Sequence, residues 1–262
     1  MKRHIKSWWD GLCSRGAGRV PDRTATGDRT LKLPFWPNGR RRNDGQEDEF
    51  RYAKERERMV EEQLAARGIT DKRVLGAMRR VPRHLFVEQA LRFRAYGDYP
   101  LPIGEGQTIS QPFMVALTCQ AIRLTGTERV LEVGTGSGYQ AAVLAELAEK
   151  VYTIERLKSL GLRAREVLDS LGYHNVATRI SDGSLGWPEE SPFDAIVVAA
   201  SAPDIPAPLR DQLAAEGRMV IPVGEPEEQV LLRVVKEDGG FQADQLSACV
   251  FVKLLGKHGW QN

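Results

Sequence analysis

Five short apolar runs in the second half of the chain are separated by stretches of helical length. No other feature constrains the fold as much. The runs are 129–133, 151–154, 176–180, 194–199 and 218–223, the last after a break at Gly217. Between them, 139–148, 157–171 and 207–213 read as helices. Strands joined through helices lie parallel, and a parallel sheet is covered on both faces, which is why its strands are apolar nearly throughout. Two further runs, 229–235 and 248–254, follow without a helix and read as an antiparallel pair. The expected fold is therefore α/β, a mainly parallel sheet with helices on both faces and an antiparallel C-terminal strand pair. Ligands of such sheets bind at the carboxyl ends of the strands, near the switch point. The loops after the first four strands should build the site.

Upstream the pattern is helical. Phe50, Ala53, Val60 and Leu64 recur at helical spacing within 50–66 and predict one apolar face. Gly68 suits the end of that helix, Asp71 the cap of the next, and Val81-Pro82 its stop near Arg80. Ser110, Gln111 and Pro112 precede an apolar stretch, 113–122, and a proline in the first turn after polar residues marks a helix start. That stretch is apolar on nearly every side, so a buried helix is expected.

The first 49 residues differ from the rest. They hold nine Gly or Pro against five Ile, Leu or Val, too little apolar surface to offset the entropy of ordering them. We read 1–49 as a flexible arm and 50–262 as the folded domain. The arm begins with basic residues but lacks the apolar stretch of a secretory signal. Residues 1–50 carry 11 basic and 7 acidic side chains, with Arg40-Arg41-Arg42 as the densest run, which reads as a solvated tail. Trp8, Trp9 and Trp36 are unusual in such a segment. Over the whole chain the net charge is only +2, which gives no electrostatic case for a nucleic-acid or membrane partner. No apolar run reaches the ~18 residues that span a bilayer. Cys13, Cys119 and Cys249 form neither a zinc spacing nor a disulfide framework, so no metal site and a reducing, cytoplasmic setting are expected.

Glu132-Val133-Gly134-Thr135-Gly136-Ser137-Gly138-Tyr139 joins the first strand to its helix. Its glycines allow a tight turn and a close ligand approach. A dinucleotide loop would place its third glycine at 139, where this chain has Tyr, which argues for a ligand without a pyrophosphate. Glu155 ends the second strand, where a carboxylate can accept both hydroxyls of a ribose. Asp182-Gly183 closes the third, where an acid could meet an exocyclic amine. Each of these acids alone reads as a turn or cap residue, but three at successive strand ends form a constellation.

Glu132, Gly134, Gly136, Gly138, Glu155, Asp182 and Gly183 resemble the cofactor motifs of class I S-adenosylmethionine-dependent methyltransferases. Upstream, Val81-Pro82-Arg83, Phe86, Tyr96, Leu101-Pro102-Ile103-Gly104 and especially Gln107-Thr108-Ile109-Ser110-Gln111-Pro112 resemble the protein-L-isoaspartate O-methyltransferase family. Ser191-Pro192-Phe193-Asp194, Ile205-Pro206, Gln212-Leu213, Gly217-Arg218, Pro222-Val223-Gly224 and Gln229 continue the likeness in order, so it spans about 50–255.

The resemblance implies a Rossmann-like methyltransferase sandwich and S-adenosyl-L-methionine as cofactor. It implies methyl transfer to the free α-carboxylate of L-isoaspartyl residues in age-damaged proteins. The ester then cyclises to a succinimide, which opens partly to aspartate. It also implies a cytoplasmic monomer with Ser110 at the substrate carboxylate. A carboxylate is already ionised at neutral pH, so no His or Cys nucleophile is called for. Ser110 would also sit at a helix N-terminus, where free N–H groups favour an anion, and a mere capping role is the other reading. Two alternatives remain: a methyltransferase for another carboxylate or small molecule, and an idle binding module. Two places depart from the family pattern. The tail Leu254-Leu255-Gly256-Lys257-His258-Gly259-Trp260 lacks the usual Thr and Gln, and Ser201 stands where a small apolar residue is common. The arm is an addition to the family core.

Overall fold

The computed structural model describes residues 44–261, with side chains from 48 onward. Arg40-Arg41-Arg42, Trp8, Trp9, Trp36 and the rest of 1–43 lie outside the described residues.

Helix α1 spans Asp44–Arg58, so it begins six residues before the expected start. From Met59 to Leu64 the backbone widens into a π-type turn, then closes in a short 3₁₀ turn at 65–67. Gly68 ends the segment in the left-handed region (φ +97°), as its position predicts. The wide turn shifts the helical phase, so Met59 and Val60 are both buried. Phe50, expected on the apolar face, is 64% exposed, and Tyr52 takes the inward place.

Helix α2 (Lys72–Arg80) is capped as expected: Asp71 accepts from the amides of Arg73 (2.8 Å) and Val74 (3.3 Å). Such a cap contributes about 1 kcal/mol. A small hairpin follows, β1 (Leu101–Gly104) with β2 (Gln107–Ile109). Helix α3 (Pro112–Ala121) then packs Val115, Ala116 and Cys119 into the core.

The main sheet comprises β3 (Arg129–Val133), β4 (Lys150–Glu155), β5 (Val176–Ile180), β6 (Phe193–Val198), β7 (Leu213–Glu225), β8 (Glu228–Glu237) and β9 (Gly240–Cys249). The strand order is β5-β4-β3-β6-β7-β8-β9. The first five run parallel and the last two antiparallel. Helices α4 (Tyr139–Ala145), α5 (Lys158–Ser170) and α6 (Ala207–Asp211) connect the parallel strands. The chain moves outward from β3 to β4 and β5, then returns to the other side of β3 as β6. The switch point therefore lies at the carboxyl ends of β3 and β6.

Successive residues of a strand face opposite layers. Leu131, Val133, Ile154, Ile196 and Val198 join one core, and Val130, Val151, Ala195 and Val197 the other, with α1 to α4. Burying each of these larger side chains, Val, Leu and Ile, stabilises the fold by roughly 1.5–3 kcal/mol. The second member of the antiparallel pair lies earlier than expected, at 240–249 rather than 248–254. This outer strand is mostly exposed, and four polar residues interrupt its apolar ones, so it lacks a continuous apolar run. The apolar run 250–255 is instead an irregular tail folded against the sheet.

Candidate active site

The glycine loop leaves β3 with its backbone fixed at both ends. Gly134 and Thr135 donate to the Ile154 carbonyl (2.9 and 3.2 Å), and Gly138 donates to the Thr135 carbonyl (2.8 Å). Gly134, Gly136 and Gly138 have φ of +96°, +53° and +87°, a region L side chains rarely adopt. A Cβ on Gly136 would lie 3.5 Å from Ile103 Cδ1 of the hairpin. Gly183 forms the floor, where a Cβ would lie 2.5 Å from Val133 Cγ1.

Glu155 closes the loop from the side. Its Oε2 accepts from the Gly136 amide and its Oε1 from the Leu157 amide, both at 2.9 Å. Each oxygen keeps lone-pair capacity for a ligand hydroxyl. The carboxylate is thus preset by the main chain rather than swinging freely.

A crevice runs along this loop. Ser110, Gly134, Gly136, Glu155 and Gly183 line it together, with Gln107, Thr108 and Ile109 of the hairpin side. Ser110 is half-buried and does not cap α3. The cap position belongs to Gln111, and no side chain caps that helix. The capping reading of Ser110 therefore has no support in the geometry.

Three of the expected residues stand off the lining. Glu132 projects from β3 into the helical layer and is fully buried. Its Oε2 accepts from the Thr153 hydroxyl at 2.6 Å, and the Thr135 and Thr153 hydroxyls lie 2.6 Å apart, so a polar chain connects Glu132 to the loop. Burial pushes its carboxyl up to about 8, and nearby Glu155 adds to the rise. Gly138 starts α4 beneath the loop, where a Cβ would lie 3.3 Å from that of Ala164. Asp182 faces the C-terminal tail: its Oδ2 accepts from the Lys257 amide (2.8 Å) and its Oδ1 from the Ser184 amide (2.9 Å) and hydroxyl (2.7 Å). Burial alone would raise its carboxyl, but these bonds outweigh it and hold it below the usual range.

The sequence reading put no residue of the tail in the site. Val252, Lys253, Leu254 and Leu255 form the far wall of the crevice. The tail is held by Ser201, whose amide donates to Val252 O (2.7 Å) and whose carbonyl accepts from the Leu254 amide (2.8 Å). The Ser184 hydroxyl accepts from the His258 amide at 3.0 Å. Gln140 and Arg156 also line the crevice unforeseen. Only the apolar run 250–255 could have flagged the wall, and it reads equally well as a strand. Among the described residues, no group of three or more His, Cys, Asp or Glu could hold a metal ion, and no helix is long and apolar enough to cross a membrane.

Comparison with known proteins agrees with this geometry. The protein-L-isoaspartate(D-aspartate) O-methyltransferase family matches residues 54–259. A protein-L-isoaspartate O-methyltransferase of Desulfosudis oleivorans is 58% identical over 214 residues, covering 82% of this chain and 97% of that one. A solved protein-L-isoaspartate O-methyltransferase superposes with a TM-score of 0.72 at 28% identity, over 78% of this chain and 67% of the other. A structure from Plasmodium falciparum, assigned to the same activity and solved with S-adenosyl-L-homocysteine, gives 0.67 at 30% identity, over 76% and 98%.

Proposed function

The chain belongs to the protein-L-isoaspartate(D-aspartate) O-methyltransferase family, and from that premise we propose how its crevice performs the reaction. It is an S-adenosylmethionine-dependent enzyme that methylates the free α-carboxylate of L-isoaspartyl residues and so starts their repair through a succinimide.

The residues present fit the cofactor. The loop offers glycine backbone and a preset carboxylate, Glu155, for a ribose, but no lysine or third-glycine pattern for a pyrophosphate. Gly134, Gly136 and Gly183 would hold the cofactor by close backbone approach, and Glu155 by its free lone pairs. Glu132 and Gly138 would support the loop from behind, and Asp182 would hold the tail at the rim. When bound, S-adenosylmethionine supplies an electrophilic methyl group on a positively charged sulfur.

Ser110 orients the acceptor. Its hydroxyl can donate to a carboxylate oxygen; the first amides of α3 are already taken, Phe113 by Asp98 and Met114 by the Gln111 carbonyl, so the hydroxyl is the donor there. The acceptor needs no base, because it is ionised already. The chain's task is to fix that oxygen in line and to exclude water, which the hairpin and the tail do from opposite sides. The observation that carries this reading is the meeting of Ser110 and the glycine loop on one crevice.

The proposal includes action as a monomer, and a reducing, cytoplasmic setting, with which the free Cys119 and Cys249 among the described residues are consistent. Its test is methyl incorporation into a peptide containing L-isoaspartate and into its aspartyl counterpart. Transfer to the first alone is expected, and equal rates would defeat the specificity. Turnover of neither, with cofactor bound, would favour another carboxylate as acceptor.

A further inference from the structure

Arg83 is the least explained group in the molecule. Its side chain is fully buried. Its Nε donates to the Ala95 carbonyl at 2.7 Å, but neither Nη atom has a hydrogen-bond partner. Among the described residues no carboxylate forms an ion pair with it. A buried guanidinium with no carboxylate in contact, and only the more distant pull of Asp98, costs several kcal/mol, and an apolar side chain of similar volume would fill the space more cheaply.

Its neighbours lie on both sides of the reaction. The guanidinium carbon is 4.7 Å from the ring centre of Tyr139, the first residue of α4 and the one directly after the glycine loop. Its carbonyl partner, Ala95, opens the turn 95–98. The Tyr96 hydroxyl bonds to His84 Nδ1 (2.8 Å) and Arg56 (3.2 Å), and the Tyr96 carbonyl accepts from Gln63 (3.0 Å). Asp98 pairs with Arg67 and also accepts from Gln111 Nε2, at its carbonyl (3.1 Å) and its carboxylate (2.7 Å). Gln111 adjoins Ser110.

We infer that Arg83 is a positioning residue that fixes the spacing between the methyl-donor loop and the acceptor segment. It acts through Tyr139 on one side and through the strut Ala95–Asp98–Gln111 on the other. The inference rests on the assignment of Ser110 and the glycine loop given above. Arg83 itself stands off the crevice lining, so neither binding event should need it directly. Transfer needs both sides in register, and a misplacement of about 1 Å can cost ~100-fold in rate.

Arg83→Met keeps an apolar side chain of comparable length and removes the charge and the Ala95 bond. Its kcat should fall about 10- to 100-fold. The KM for the isoaspartyl peptide and the calorimetric Kd for S-adenosylhomocysteine should stay within about threefold, a split that general loss of packing would not produce. Gln111→Ala cuts the strut at its other, half-buried end and serves if Arg83→Met does not fold. It should show the same split, and the double variant should be clearly less impaired than the product of the two. A wild-type kcat in either variant, or cofactor affinity falling in parallel with kcat, would overturn the inference. Failure of the wild-type enzyme to turn over the peptide strikes the functional reading instead, so the two failures are distinct.

Discussion

The glycine loop and the C-terminal tail wall the same crevice, yet they are built in opposite ways. The loop's bonds run between β3 and β4, within about twenty residues of sequence, and rest on apolar core. The tail reaches back 50 and 51 residues to Ser201 and 75 and 74 to Asp182 and Ser184. One wall is fixed by local backbone geometry, the other by a few long-range contacts. None of residues 255–261 is buried, and a segment with few buried contacts opens at lower free energy than one seated on the core. The loop should therefore behave as a rigid template and the tail as the adjustable side.

The sharpest contrast comes from placing a side chain on one glycine of each wall. Gly136→Val puts a β-branched residue at φ +53°, with its Cβ 3.5 Å from Ile103 Cδ1 of the hairpin. The strain of about 1–3 kcal/mol comes on top of the lost space, so calorimetry should show S-adenosylhomocysteine affinity at least ~100-fold weaker, with circular dichroism unchanged. Wild-type affinity would remove the loop from the site. Ser110→Ala stands on the acceptor side and should lower kcat about 10- to 100-fold while cofactor affinity holds. If both fall together, the hydroxyl supports structure rather than substrate. Gly256→Ala is the tail's counterpart. Its Cβ would lie 2.0 Å from Asp182 Oδ1, so the carboxylate must move and release part of its hold. Losing about 1 kcal/mol of tail anchorage should weaken cofactor binding about five- to tenfold. An effect as large as that of Gly136→Val would erase the distinction between the walls.

The same contrast explains what could be read in the sequence. The loop, β3 and β5 were legible to the residue, because glycine spacing and continuous apolar runs are local signals. Asp71 as a cap was legible for the same reason. β9 was not, because an outer strand with one partner needs few apolar residues, and the neighbouring apolar run mimicked it. Phe50 was misplaced because the π-type turn at 59–64 changes the helical phase, and nothing local announces it. Ser110, Gly134, Gly136, Glu155 and Gly183 meet as the motifs suggested. Glu132 does not line the crevice, since a motif gives order along the chain but not the face of the strand. The tail's part in the site depends on contacts 50 to 75 residues away, which spacing does not encode.

Glu132 offers a test of how firmly the rigid wall is seated. Its carboxyl ionises near 4.5 in the unfolded chain and near 8 when folded. Between those values the folded state keeps a proton that the unfolded state has lost, so this group's contribution to stability falls as pH rises through the window. Glu132→Gln lacks the proton and keeps an acceptor for Thr153. Its Tm should therefore gain on the wild type from pH 5 to pH 8, by about 2–4 °C for each kcal/mol of difference. Parallel curves would show that the carboxyl is solvated in the folded protein.

The smallest expected effect tests which atoms hold the adjustable wall. Ser201 and the tail are the two departures from the family pattern, and they touch. Ser201 is fully buried, and its hydroxyl reaches the carbonyls of Phe251 and Val252 only at 3.4 and 3.3 Å. The shorter bonds, 2.7 and 2.8 Å, are backbone to backbone and survive any side chain of similar size. Ser201→Ala should thus cost about 0.5–1 kcal/mol, seen as a Tm decrease of roughly 1–4 °C, with S-adenosylhomocysteine affinity within about twofold of wild type. A loss of affinity matching that of Gly256→Ala would mean that the hydroxyl, not the main chain, anchors the tail. The serine would then act as a fastener specific to this tail rather than as a tolerated replacement.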